Sequence, residues 1–395
     1  MLKSSFFCLI PRFSLACPSS RYRTVCLSKM STAPEPLCPK FTPVEKSEIA
    51  SISKSEGFKF SLVSYNILAQ AYVKSASFPH SPSPCLKWKA RSQAILTVLK
   101  GLGSDFLCLQ ELDEYDSFYK KNIESFGYSS IYVQRGGQKK DGCGIFYKPK
   151  SAELIIEEKI DYNDLLNSIQ DEAASLKKDV DLSASGNKSD ESTNDSEQKS
   201  TQTDCGDPND PRVRLKRDCV GIMAAFKLND PSCHHIIVAN THIYWDPEWI
   251  DVKLAQAKYL LRRLAEFKSR VSDQFGCSPS VLVAGDFNSV PGDQVYQYIV
   301  SGTSPLGPQP EISDEMPIPV CSVYAYTKGE PPFTNCTPGF TGTLDYVLFS
   351  PSGDIKPVSC LELPGPESSD VQGWLPNYYH PSDHLPIGAE FEVDP

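Results

Sequence analysis

Short apolar runs alternate with helical patterns from residue 58 onward. The runs are brief and rich in Val, Ile, Leu and Phe, which is typical of buried strands. They read FKFSLVSYN, DFLCLQ, DGCGIFYK, CVGIMAAFKL, HHIIVANTH, SVLVAGDFN and TLDYVLFS. Residues 85–102 and 251–264 instead place apolar side chains at three- and four-residue spacings, which predicts two amphipathic helices. The alternation predicts an α/β fold.

Two segments depart from this pattern. Residues 1–57 have no core-forming run, and residues 1–34 contain basic residues and serines but no acidic residue. That composition is typical of a transit peptide; the alternatives are a disordered leader or a start at Met30. Residues 165–210 are rich in Ser, Asp, Asn and Glu, which predicts a disordered insertion. Because candidate site residues lie on both sides of it, we expect one catalytic domain, 58–393, that carries this insertion.

The net charge and the cysteine content exclude few classes of function. The chain carries a net charge of −10, but residues 153–210 alone contain 16 acidic and 5 basic residues, so the remainder is nearly neutral. The 14 cysteines form no C-x-x-C pair, which predicts a reducing compartment without disulfides. No apolar segment approaches the ~18–20 residues that span a bilayer.

Polar residues follow several of the predicted strands directly. They are Asn66, Glu111, His242, Asp286 and Asn288, joined by Asp345 at a strand start and by Asp383 and His384 in the sequence PSDH. Oxygen ligands of this kind suit Mg²⁺, and a histidine beside an aspartate suits proton transfer at a phosphate. Each residue taken alone is more often a turn former, a helix cap or a structural histidine. The ordered set is what favours a site.

That ordered set resembles the endonuclease/exonuclease/phosphatase superfamily over residues 58–393, apart from the insertion. The resemblance implies a two-sheet α/β sandwich flanked by helices and Mg²⁺-dependent phosphoester hydrolysis, with one or two ions and Mn²⁺ as a substitute. It implies metal ligation by Glu111 with Asn66 and Asp383 nearby. For catalysis it implies that Asp286 activates water, Asn288 positions phosphate, and His384, oriented by Asp345, contacts phosphate together with His242. Asp141 is our candidate to orient His242.

Finer motifs resemble the carbon catabolite repressor 4 deadenylases and their relatives nocturnin and angel. These motifs are SYNILAQ, CLKWKARSQAIL, CLQELDEY, DGCGIFYK, THIYWDPEWIDVKLAQ, EPPFTN and HPSDHL. The resemblance implies a 3′-to-5′ exoribonuclease that shortens poly(A) tails, releases 5′-AMP and clamps adenine between Pro247 and Phe333. The partner it implies is the 3′ end of poly(A) RNA; we expect neither DNA nor a membrane. Association with the Not complex stays open but is disfavoured, because residues 1–57 lack the leucine-rich repeat with which large deadenylases dock to it.

Two other functions remain open. One is a nocturnin-like phosphatase acting on NADP(H) or another small phosphoester, although Ile243–Asp246 replace the basic residues that nocturnin has after this histidine. The other is an inactive scaffold, which the complete ligand set disfavours. The expected location is the cytoplasm, with the nucleus as a second compartment. A mitochondrion or chloroplast is the alternative if residues 1–29 act as a transit peptide.

Overall fold

Two mixed β-sheets form the centre of the computed structural model, which describes residues 34–44, 57–167, 210–301, 317–351 and 353–393. The strands are β1 (Phe41–Pro43), β2 (Lys59–Asn66), β3 (Phe106–Gln110), β4 (Ser129–Gln134), β5 (Gly142–Tyr147), β6 (Ala152–Asp161), β7 (Val220–Leu228), β8 (His235–His242), β9 (Ser280–Asp286), β10 (Cys321–Ser322), β11 (Asn335–Thr337), β12 (Phe340–Gly342), β13 (Asp345–Phe349), β14 (Ile355–Leu361) and β15 (Ile387–Val393). Sheet I has the order β1-β14-β15-β2-β3-β5-β4, and sheet II has the order β10-β13-β9-β8-β7-β6. Strands β11 and β12 form a separate hairpin.

Six α-helices accompany the sheets in the described part of the chain. They are α1 (Trp88–Leu102), α2 (Lys120–Glu124), α3 (Pro211–Arg214), α4 (Ile250–Phe275), α5 (Gln294–Val300) and α6 (Val323–Thr327). Four of them, α1, α2, α4 and α5, pack on outer faces of the sheets. One apolar cluster lies between the sheets, with Phe60 and Phe106 of sheet I and Phe226 of sheet II among its members. A second cluster joins sheet II to α4 and α5, and a third joins sheet I to α1 and α2. The predicted α/β sandwich is therefore confirmed.

Each sheet contains one parallel pair of strands. In sheet I, β2 runs parallel to β3 and Asn66 lies opposite Gln110. In sheet II, β8 runs parallel to β9 and His242 lies opposite Asp286. Because parallel strands end at the same edge, each pair delivers the residues that follow it to one place.

A buried amide pair joins the two sheets beneath these strand ends. Gln110 Nε2 donates to Asn240 Oδ1 at 2.7 Å, and both side chains are fully buried. Asn240 Nδ2 donates in turn to the carbonyls of Leu109 and Gly144, at 3.0 and 2.9 Å. Because buried polar groups are costly unless they are paired, this arrangement fixes one sheet against the other.

The seven predicted strands and both helices are present, with different bounds in places. The second helix extends over Ile250–Phe275, beyond the predicted 251–264. Residues 41–43, which we placed in the leader, pair with β14 as an edge strand. Leu165, placed in the insertion, packs in the cluster on the outer face of sheet II.

Most of the predicted leader and insertion lies outside the described residues, namely 1–33, 45–56 and 168–209. Within the part that the structure describes, no helix is both long and apolar enough to cross a bilayer.

Candidate functional site

A cleft of about 310 Å³ opens at the ends of the two parallel strand pairs. The predicted residues that line it are Glu111, His242, Asp286, Asn288, Asp383 and His384. Asn66 and Asp345 are buried and hydrogen-bond to lining residues. The structure thus brings together all eight residues predicted for metal binding and catalysis.

Asn66 connects the two sheets within the site. Its Nδ2 donates to Glu111 Oε1 at 3.1 Å and to Asp286 Oδ2 at 3.0 Å. Its Oδ1 accepts from the backbone N–H of Leu68 at 3.0 Å, which fixes the orientation of the amide. Both carboxylates are therefore held by one buried side chain.

The oxygen side of the cleft consists of Asn66, Glu111 and Asp383. Burial, and then the charge of Asp383, raise the pKa of Glu111 to about 7. Glu111 also has a φ of 51°, a left-handed conformation that costs a non-glycine residue about 1 kcal/mol or more. Within the described part of the chain, neither Glu111 nor Asp383 forms an ion pair with a lysine or an arginine.

The histidine side consists of His242, Asp286, Asp345 and His384. Nδ1 of His384 lies 2.7 Å from Asp345 Oδ2. Because a carboxylate can only accept, Nδ1 carries the proton and Nε2 faces the cleft. Thr334 fixes Asp345 by donating its hydroxyl at 2.6 Å. Burial would lower the pKa of His384, but Asp345 and Asp286 outweigh it and raise that pKa well above its ordinary value.

Asp286 lies between the two histidines. Its Oδ2 is 3.6 Å from His242 Nε2 and 3.7 Å from His384 Nε2. Burial, and then Asp345, raise the pKa of Asp286, while burial lowers that of His242. Gly285 precedes it at a φ of 156°, where a Cβ would lie 2.1 Å from the Thr241 carbonyl oxygen. The two strands can therefore approach closely only with glycine at this position.

Asn288 is held in a tight turn after Asp286. Its backbone N–H donates to Asp286 Oδ1 at 2.9 Å, and its Nδ2 donates to the Ile243 carbonyl at 3.1 Å. Its φ of 45° is left-handed, a conformation that asparagine tolerates better than most residues. Lys253, only 3% exposed, donates its Nζ to the Asn288 carbonyl at 2.8 Å.

The expectation that Asp141 orients His242 was wrong. Asp141 accepts the Tyr72 hydroxyl at 2.6 Å and pairs with Arg135 at 3.5 Å. His242 Nδ1 has no hydrogen-bond partner among the described residues. The carboxylate of Asp141 thus binds the Arg135 guanidinium and the Tyr72 hydroxyl, and not the imidazole of His242.

Arg91 supports the site in a way that its sequence position did not reveal. The sequence places it among the regularly spaced positions of the predicted helix 85–102. In the structure it is buried and joins two loops of the site. Its guanidinium donates to the carbonyls of Ile67 and Leu68 and to that of Pro381, at distances between 2.6 and 2.8 Å. The loops that carry Asn66 and Asp383 are thereby tied together.

Phe333 and Pro247 do not form a clamp in this structure. Phe333 is 2% exposed and packs against Leu375 and Leu385, and neither clamp residue lines the cleft. Pro247 is exposed on the loop between β8 and α4. The surrounding apolar cluster buries the ring of Phe333, and this burial leaves no free ring face on which a base could stack.

Two groups of residues offer ligand atoms for a cation. Asp286, Asp345 and His384 place such atoms within 4.8 Å of one another. In the first group, Asp345 Oδ2 already accepts from His384 and Thr334, whereas Asp345 Oδ1 has no hydrogen-bond partner among the described residues. Glu111 and Asp383 form no ion pair with a lysine or arginine of the described residues, and a divalent cation would supply positive charge there. The oxygen side therefore fits a metal better.

Comparison with known proteins agrees with this geometry. A sequence model of the endonuclease/exonuclease/phosphatase family matches residues 63–384, a range that contains every residue of both sides of the cleft. The chain belongs to this family. Membership explains why polar residues at strand ends converge here, and it makes the chain a hydrolase of the family's general type.

Two relatives within the family align with all or most of this chain. The chain is 55% identical to carbon catabolite repressor protein 4 homolog 4 of Arabidopsis thaliana, covering 100% of this chain and 99% of that protein. It is 28% identical to the CCR4-Not complex 3′-5′-exoribonuclease subunit Ccr4 of Schizosaccharomyces pombe. That alignment covers 86% of this chain but 50% of the relative, so the chain spans about half of its length.

Solved structures show the same fold. ANGEL2, described as a 2′,3′-cyclic phosphatase and solved with adenosine-2′,3′-vanadate, superposes with a TM-score of 0.63 at 26% identity. The match covers 86% of this chain and 97% of that one. The human nocturnin catalytic domain superposes with a TM-score of 0.55 at 21% identity over 85% and 93% of the two chains, which shows a shared fold alone.

Proposed function

We propose that this chain is a Mg²⁺-dependent 3′-to-5′ exoribonuclease that shortens poly(A) tails and releases 5′-AMP. One observation carries the proposal: Asp286 faces two histidines on one side and shares Asn66 with Glu111 on the other. This combination suits in-line attack of water on a phosphodiester. Similarity to an Arabidopsis carbon catabolite repressor 4 homologue and to a yeast 3′-5′-exoribonuclease supports the substrate class.

Glu111 would be the principal ligand of Mg²⁺, with Asn66 and Asp383 beside it. A bound divalent cation neutralises charge that develops on the phosphate. The structural support is the buried carboxylate of Glu111, which lies near Asp383 without a basic partner in the described residues. Carboxylate and amide oxygens also suit Mg²⁺ better than a softer metal.

The side chains on the histidine side would handle protons and phosphate. Asp286 orients a water molecule through Oδ2 and takes its proton as the new phosphorus–oxygen bond forms. The bond from phosphorus to the 3′ oxygen breaks, and that oxygen leaves as a hydroxyl after gaining a proton. His384 stays protonated because its pKa is raised, so its Nε2–H can donate to the phosphate. Asn288 would position the same phosphate.

The partners and location follow from this activity. We propose the 3′ ends of poly(A) RNA as the substrate, and the cytoplasm and nucleus as the compartments. Because the yeast relative is a subunit of the CCR4-Not complex, co-purification of that complex with the tagged chain tests a further association. Imaging C-terminal fusions with and without residues 1–29 tests the transit-peptide alternative.

The test compares two RNAs that differ only in their tails. Purified chain is incubated in Mg²⁺ with 5′-labelled RNAs that end in adenosines or in cytidines. We expect the A-tailed RNA to shorten one nucleotide at a time, with 5′-AMP as the product, and the C-tailed RNA to persist. The Asp286→Ala protein controls for contaminating nucleases.

Two results would overturn parts of the proposal. Equal degradation of both tails would remove the adenine preference, which rests on similarity now that Phe333 is buried. No degradation of either RNA in Mg²⁺ would remove the exonuclease activity itself.

A second candidate is a phosphatase that acts on a small phosphoester. The likeness to ANGEL2 favours a 2′,3′-cyclic phosphate as one such substrate, and the sequence resemblance to nocturnin adds NADP(H). Incubation of the same preparation with RNA ending in a 2′,3′-cyclic phosphate, and separately with NADPH, decides between them. Turnover of either compound well above that of A-tailed RNA would favour the phosphatase.

A further inference from the structure

Trp245 is the most exposed large apolar side chain in the described part of the chain, at 63%. It also lines the cleft, on the loop that follows His242. Leaving an indole in water forgoes the stabilisation that burial would give. Its place at the mouth of a binding cleft suggests that a ligand covers it.

The loop around Trp245 is anchored on both sides. Trp249 contacts the guanidinium groups of Arg214 and Arg217, which are 4.1 and 4.0 Å from its ring centre. Tyr244 packs edge-on against Trp249, with ring centres 5.8 Å apart. Cation–π contacts of this kind stabilise a loop by about 0.5–2 kcal/mol each.

A hydrogen bond from α4 completes the anchoring. The fully buried Gln256 accepts the backbone N–H of Tyr244 at 2.8 Å, and Glu248 N–H donates to Asp246 at 3.0 Å. The backbone is thus fixed immediately before Trp245 and soon after it. A rigid loop that presents a free ring loses little entropy when a ligand stacks on it.

Trp245 itself keeps its ring faces open. Its one ring contact within the described residues is a tilted approach to Tyr244, with centres 6.1 Å apart. Lys139 lines the same cleft and is exposed, and Arg135, paired with Asp141, lines it as well. An aromatic platform beside basic side chains fits a ligand with a flat ring and phosphates, which is the chemistry of a single-stranded nucleic acid.

We propose that Trp245 is a stacking platform for a nucleobase of the RNA strand next to the scissile phosphate. The identity of the ligand rests on the proposed function; the availability of the platform rests on the structure. Because every base has a π-face, stacking on Trp245 supplies affinity for A-tailed and C-tailed RNA alike. Selection of adenine then has to come from other contacts.

Equilibrium binding of a fluorescent eight-adenosine RNA tests the proposal. All proteins carry Asp286→Asn so that the RNA stays intact, and Mg²⁺ is present. We expect Trp245→Ala to weaken binding roughly 5- to 100-fold, as loss of one base–aromatic stack does, and Trp245→Phe to restore most of the affinity. Trp245 is largely exposed, so the alanine variant should fold.

Phe275→Ala is the matched control. Phe275 is 37% exposed and ends α4, whose start follows the Trp245 loop. At a rise of 1.5 Å per residue it lies roughly 38 Å along the helix from the loop, so its loss should leave binding unchanged. Replacing single terminal nucleotides by abasic ones should abolish the Trp245→Ala effect at the stacked position.

The binding and cleavage results separate the two hypotheses. Trp245-dependent binding without RNA cleavage by the protein with native Asp286 would support the platform and reject the exonuclease. Cleavage with unchanged binding by Trp245→Ala would reject the platform and keep the exonuclease. Absence of RNA binding by the protein that retains Trp245 would also reject the platform.

Discussion

The two parallel strand pairs end in the same cleft but supply opposite kinds of chemistry. The sheet I pair delivers Asn66 and Glu111 of the oxygen side, where Glu111 forms no ion pair with a lysine or arginine of the described residues. The sheet II pair delivers His242 and Asp286 of the histidine side, where Asp286 lies near two histidines and Asp345, on the neighbouring strand β13, bonds to His384. The acids of the histidine side therefore have imidazole neighbours, whereas Glu111 on the oxygen side has hydrogen-bond donors but no basic side chain paired with it in the described residues.

This difference explains how one small cleft can separate two tasks. The oxygen side favours binding of a cation, because a bound cation relieves the repulsion between Glu111 and Asp383. The histidine side holds the proton between His384 and Asp345 in a fixed place, because these two side chains determine each other's orientation. Removal of a residue from one side should therefore affect one task and leave the other.

The largest expected effect is on turnover, from Asp286→Asn. The amide keeps the shape of the carboxylate but cannot take a proton from water, so kcat should fall about 10²–10⁴-fold. Stabilisation by Mg²⁺, measured by thermal denaturation, should persist because Glu111 is intact. Asp273→Asn, at an exposed position on α4, is the control and should keep normal rates. A rate for Asp286→Asn within tenfold of the native rate would contradict the assigned role.

Asn240→Leu should cause the next largest effect, on stability. The change leaves the Leu109 and Gly144 carbonyls without their side-chain donor and removes an acceptor from Gln110. Unpaired buried groups should lower the free energy of unfolding by about 2–4 kcal/mol, measured in urea. Asn229→Leu, at an exposed position, should change it by less than about 0.5 kcal/mol. Equal values for the two variants would show that the amide pair does not join the sheets.

Glu111→Gln should affect the oxygen side alone. At a Mg²⁺ concentration 100-fold above its dissociation constant, binding stabilises the native protein by about 2.7 kcal/mol, and this gain should vanish in the variant. Without metal the variant removes a charge next to Asp383 but loses one of the two acceptors for the Asn66 and Ala69 donors, so its stability should lie within about 1 kcal/mol of that of the native chain. Thermal denaturation with Mg²⁺ and with EDTA measures both. A full Mg²⁺ shift in Glu111→Gln would place the cation elsewhere.

The sequence indicated which residues meet in the cleft where those residues follow strand ends. Asn66, Glu111, His242 and Asp286 each follow a recognisable apolar run, so the edge of the sheet on which they meet could be inferred. The edge strand β1 could not, since its three residues pair with a strand about 300 positions away and carry no periodic signal.

Contacts that depend on tertiary packing were beyond the sequence. Arg91 and Lys253 lie within the two predicted helices, and only the fold shows that both are buried with backbone carbonyls as partners. The burial of Phe333 depends on Leu375 and Leu385, which lie some 40 to 50 residues further along the chain. A sequence motif identified these residues without fixing the direction in which they point.

Lys253→Met should give the smallest effect of these variants, and it tests the histidine side of the cleft. Burial lowers the pKa of Lys253, yet its Nζ still holds the carbonyl of Asn288, whose left-handed turn follows Asp286. Loss of one hydrogen bond from a charged donor should lower kcat about tenfold. Mg²⁺ stabilisation should be unchanged, and Lys268→Met on the same helix should have no effect on either quantity. Because Lys253 positions Asn288 and does not bind the cation, a loss of Mg²⁺ stabilisation in Lys253→Met would show that the two sides of the cleft are not independent.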